Sequence, residues 1–109
     1  MKDVNYYLDK IIAECEYIQQ NMKSIDSLAT FSSNQLLVDA MQFRLVQISE
    51  NVKKIPEEYR LLNTQIEWNN IIGMRNRLIH DYGNVVLDFV FDTLKYDIPK
   101  LKQQLLLLK

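Results

Sequence analysis

The only histidine of the chain, His80, stands five residues after Arg75 and two before Tyr82, in a stretch, 68–83, that also holds the only tryptophan and both glycines. An imidazole titrates near neutral pH, so His80 can take a proton from a 2′-hydroxyl or give one to a leaving 5′-oxygen. Arg75 keeps its charge at any working pH and presents a fork of donors that matches phosphate oxygens as negative charge builds on them. Together they suit cleavage of an RNA phosphodiester by internal attack of the 2′-hydroxyl, which needs no metal. One imidazole cannot be base and acid in the same step. A two-fold dimer brings two copies into one cleft and removes that difficulty, so a homodimer is expected.

Geometry limits this reading. On a regular helix, positions five apart point about 140° away from each other. Either the helix unwinds near His80, as the turn chemistry of 81–84 permits, or a cleft wide enough for both flanks, such as a subunit interface, receives them. Each residue also has a plainer role. Arg75 can form an interhelical ion pair with a carboxylate, or pair with Asp81. His80 can interact with the negative end of the helix dipole, and Tyr82 can be a packing aromatic with its hydroxyl in solvent. Asp88 and Asp92, four apart without a third ligand, read as a solvated face rather than a metal site.

The rest of the chain must position these groups. Its 109 residues make one domain, 1–109, with a single core. A hydrophobic fraction of 48% beside 25% charged residues excludes a disordered or membrane-embedded chain. Net charge is −1, so any nucleic acid must be met by a local cluster of Lys and Arg rather than by a basic surface. The lone Cys15 cannot form an internal disulfide. The N-terminal segment lacks an apolar signal region and no apolar run reaches spanning length, so a cytoplasmic, unanchored protein is expected.

Two glycines and two prolines leave few breakers, and the hydrophobic spacing is helical throughout. Val4, Leu8, Ile11, Cys15, Ile18, Met22 and Ile25 form one seam. The Ser- and Asn-rich segment 24–34 reads as a turn, with Ser33 or Asn34 capping the next helix. There Leu37, Met41, Arg44, Ile48, Val52 and Ile55 keep one phase, and Arg44 on that stripe needs a partner across the bundle. Pro56, Glu57 and Glu58 open a short helix. Trp68, Ile72, Arg75, Ile79 and Tyr82 form the next stripe, ended by Gly83, with Asn84 as the following cap. Leu87, Phe91, Leu94, Ile98, Leu101, Leu105 and Leu108 run through Pro99 without a slip in phase, which predicts one kinked helix. The expected fold is all-α: an up-and-down four-helix bundle with a short extra helix.

The residues Trp68, Gly73-Met74-Arg75-Asn76, Leu78-Ile79-His80 and Tyr82 resemble the signature of HEPN domains of the HepT type: Arg, a polar residue, three more, His, one residue, Tyr. The segments 52–58 and 97–101 are also similar to that family, so the resemblance spans nearly the whole chain. It implies a metal-independent ribonuclease toxin with no cofactor, whose catalytic Arg75 and His80 line a dimer cleft, with Asn76 in support. It further implies a partner, the small MNT-type nucleotidyltransferase antitoxin of a HEPN/MNT toxin–antitoxin pair, which silences the toxin by AMPylation, mapping to Tyr82. Phosphates added beside Arg75 would occupy the cation and repel RNA. Two rivals stand against this reading. One is a non-catalytic helical binding partner of a nucleotidyltransferase, and the other is a scaffold dimer built on the Leu-rich last helix.

Overall fold

The computed structural model describes residues 3–80 and 86–109, with His80 described through its backbone alone. Among them the chain forms α1 (Val4–Met22), α2 (Leu28–Ser32), α3 (Gln35–Lys53), α4 (Glu57–Leu62), α5 (Trp68–His80), α6 (Leu87–Asp92) and α7 (Ile98–Leu106), with a π-helical turn, Thr93–Asp97, joining the last two. This is the all-α bundle expected. α3 packs against both α1 and α5, and α1 against α7. The pairings of Lys95 with the Met22 carbonyl, Lys102 with Glu16 and Lys109 with Asp9 fix α7 antiparallel to α1.

Local chemistry starts the helices where side chains can satisfy the free amide hydrogens of a first turn. The Asp3 carboxylate accepts from the Tyr6 amide and the Asn34 side chain from the Leu37 amide, both at 3.0 Å. The segment 24–34 is more than a turn. Ser27 caps α2 by accepting from the Thr30 amide, and Phe31, fully buried against Phe91, holds this one-turn helix to the core. Burial of one aromatic ring outweighs the weak helix preference of its polar neighbours.

The α1 seam is buried as the periodicity predicts, with Leu8, Ile11, Cys15, Ile18 and Met22 in the core and Ile12 added. Burial pushes the Cys15 thiol up to about 12, so it stays protonated and acts as a small apolar side chain. Of the two stripes that contained an arginine, that of α3 is kept, with Met41, Ile48, Val52 and Ile55 buried, and that of α5 is shifted. In α3 it is Leu45, not Arg44, that is fully buried, and in α5 Met74 and Leu78 are buried while Ile79 is exposed. Placing a guanidinium at the edge of the stripe keeps it hydrated and within reach of a carboxylate.

The last seam is continuous through Pro99, as expected, but the adjustment takes a particular form. Pro99 has no amide hydrogen to give the Lys95 carbonyl, and its ring crowds the turn before it. The backbone widens there: the Ile98 amide donates back to the Thr93 carbonyl, five residues earlier, and the Thr93 hydroxyl donates to Phe89 at 2.8 Å. The wider turn keeps Phe91, Leu94, Ile98, Leu101 and Leu105 on one buried side.

Candidate active site

α5 is anchored at its start and along one flank. The buried Trp68 donates its indole N–H to the Asn63 carbonyl at 2.9 Å, which sets where the helix begins. Ser49 on α3, itself buried, donates its hydroxyl to the Ile71 carbonyl at 2.6 Å. The next residue on α3, Glu50, meets Arg75 with 2.5 Å between Oε1 and Nε. Two neighbours on one helix therefore fix both the depth of α5 and the direction of its arginine. The pair is open to solvent, with side chains 40% and 37% exposed. A cation so held is directed by its carboxylate yet can still meet a phosphate.

Asn76, next in the chain, is exposed. α5 stays regular to His80, so the helix does not unwind before that position, and Arg75 and residue 80 keep the wide angular separation of a regular helix. The His80 side chain, Tyr82, the Gly83 terminator and the Asn84 cap lie outside the described residues.

The side of α5 away from Arg75 lines a groove of about 610 Å³, walled opposite by the π turn and α7. Gly73 forms part of its floor, and a Cβ built there would meet nothing within 4 Å. Arg77 lies with its guanidinium carbon 3.8 Å from the centre of the Phe89 ring, a cation–π contact at the groove edge. Asp97 reaches in from the π turn. Partial burial raises its carboxyl above the ordinary range; Lys100 opposes that shift, while Glu67 and Asp92 add to it.

Sequence reasoning did not find Glu50, Ser49 or this groove. An arginine interrupting an apolar stripe does signal a carboxylate, but only the packing of α5 on α3 selects Glu50. For Arg44 the expectation of a partner across the bundle holds: it bonds Glu14 on α1 at 3.2 Å and lies 4.4 Å from the Tyr17 ring centre.

Residues 11–108 match the family described as "Ribonuclease HepT-like". The chain is 36% identical over 104 residues to "Putative RNase TTE0752" of Caldanaerobacter subterraneus subsp. tengcongensis, covering 95% of this chain and 92% of that protein. It is 31% identical over 99 residues to "Probable ribonuclease HepT" of Thermococcus cleftensis, covering 88% and 86%. A third relative, "Gamma-glutamylcyclotransferase and putative RNase MJ0434" of Methanocaldococcus jannaschii, is 35% identical over 105 residues, which span 96% of this chain but 47% of that protein. No solved structure matches. The helical bundle and these sequence matches together make this an all-α domain of ribonuclease type. The chain belongs to the HepT-like ribonuclease family, and its activity is that of an endoribonuclease acting on RNA.

Proposed function

We propose that this ribonuclease is the toxin of a HEPN/MNT toxin–antitoxin pair and cuts RNA without metal, using Arg75 and His80 in a cleft between two copies. The observation that carries this is the Arg75–Glu50 pair: a cation on the motif helix, aimed by a carboxylate but left open to solvent. In the reaction the 2′-oxygen attacks phosphorus and the bond to the 5′-oxygen breaks, leaving a 2′,3′-cyclic phosphate and a 5′-hydroxyl. His80 of one protomer takes the 2′ proton, and its partner's His80 gives a proton to the 5′-oxygen. Arg75 binds the non-bridging oxygens as their charge grows, and Asn76, exposed beside it, supports that contact. The wide angle between Arg75 and residue 80 on an unbroken helix favours a cleft closed by a second copy over a single-chain site.

Tyr82, two residues beyond His80, is the acceptor for AMP from the nucleotidyltransferase antitoxin. Phosphates placed there would pair with Arg75 and exclude RNA from the cleft. The experiment is cleavage of a mixed RNA pool in the presence of chelator by wild type, His80→Ala and Tyr82→Phe, all shown to be folded. Cutting by wild type and Tyr82→Phe but not by His80→Ala is the expected result. Equal cutting by all three, or by none, removes the proposed chemistry.

A further inference from the structure

Gly73 has no role that the chain itself explains. It lies within α5, where glycine weakens a helix relative to alanine, yet no neighbouring atom would touch an added Cβ. Glycine here leaves the helix backbone open to close approach from outside. The space above it is the groove between α5, the π turn and α7.

The chemistry around that space selects the visitor. Side-chain amides of Asn70 and Gln104 line it; each donates one hydrogen bond within the chain, to Glu67 and to the Gln65 carbonyl, which keeps its oxygen and second N–H for the edge of a base. The carboxylate of Asp97 can accept from an exocyclic amino group. At the groove edge Arg77 is exposed, backed by the Phe89 ring, and close enough to the motif to matter. It precedes residue 80 by three positions, about 4.5 Å along the helix axis, a spacing that puts two helical positions on one face.

We infer that the groove over Gly73 holds one unpaired nucleotide of the RNA next to the scissile phosphate, with Arg77 on its phosphate and the groove amides on its base. The inference rests on the proposed Arg75/His80 chemistry for what lies next to the groove, while binding in the groove itself can be measured without any cleavage. Arg77 is then a substrate-positioning residue, and selection for an unpaired base follows because a paired base presents no free edge to the amides.

The test uses a short 2′-O-methyl RNA of mixed sequence, which lacks the attacking hydroxyl, and follows its binding to the full chain. Gly73→Leu, whose Cβ meets no neighbour, places a branched side chain in the groove and is expected to weaken binding about tenfold or more, with a melting temperature close to wild type. Gly73→Ala, the smaller change, should melt higher and bind more weakly than wild type. Arg77→Ala should weaken binding and reduce the salt slope of log K by about 0.7, the share of one phosphate on a single strand. Unchanged binding by Gly73→Leu overturns the inference. So does a change in oligomeric mass on Gly73→Leu, which would assign the glycine to a contact between copies. Groove-independent binding beside cleavage lost in His80→Ala would remove this site and leave the nuclease chemistry standing. Groove-dependent binding by a wild type that never cuts would keep the RNA site and remove that chemistry.

Discussion

Arg44 and Arg75 interrupt apolar stripes in the same way, and both pair with a glutamate on the helix against which they pack, yet the two places differ. Arg44 joins α3 to α1 through Glu14, with side chains 33% and 20% exposed, and its guanidinium also lies against Tyr17. Arg75 joins α5 to α3 through Glu50 in a more open setting, on the helix that carries His80. The first cation is committed on two sides and has little left for a ligand. The second is aimed by one carboxylate at the edge of the bundle. The same residue pair is braced by a second neighbour in one interface and left more open in the other, which fits the binding role proposed for Arg75.

The largest contrast should appear when both arginines are removed in turn. Arg75→Ala is expected to lower RNA cleavage about 100-fold or more while the chain stays folded, because a donor to the developing phosphate charge is lost. Arg44→Ala should leave the rate unchanged and instead cost about 1 kcal/mol in a denaturant titration. Equal loss of activity in the two variants would show that the two arginines serve alike.

The two glutamates should also differ in effect. Glu50→Gln keeps a polar partner but loosens the aim of Arg75, and cleavage kcat/KM should fall about tenfold with little change in the unfolding midpoint. Glu14→Gln should not alter cleavage at all. A Glu50→Gln enzyme that cuts at the wild-type rate would show that Arg75 needs no guide.

A chemical probe separates the closed region from the open one. Cys15, fully buried on the α1 seam with its thiol pushed up to about 12, should resist N-ethylmaleimide in the native protein and react fully once denatured. Rapid native labelling, followed by mass spectrometry, would show that the α1–α3 side opens.

The smallest effect concerns the groove on the other flank of α5. The Asp97 carboxyl is raised by partial burial, so the folded chain binds its proton more tightly than the unfolded chain. That contribution is present below the ordinary carboxylate range and is lost as pH rises through the raised value. Asp97→Asn should therefore melt slightly higher than wild type near neutral pH, with the difference vanishing in acid. Thermal melts at the two pH values check the sign.

The helices that carry a strong apolar period, the Asn34 cap and the run of phase through Pro99 were legible in the sequence, because these depend on neighbours within a few positions, and the sequence alone singles out Arg75, Asn76, His80 and Tyr82 as the proposed motif. It also determined that Arg44 and Arg75 would need partners, since an uncompensated guanidinium on an inward stripe is costly. Only the tertiary structure decided who those partners are. Glu14 and Glu50 lie 30 and 25 positions from their arginines, and no local period links them. Packing also widened the α3 stripe to Leu45, shifted the α5 stripe toward Met74, turned part of the 24–34 segment into a helix around Phe31, and opened the groove over Gly73. A helix can distribute its apolar face over several neighbouring positions at similar energy, and the choice among them is made by the shape and charge of the helix it meets.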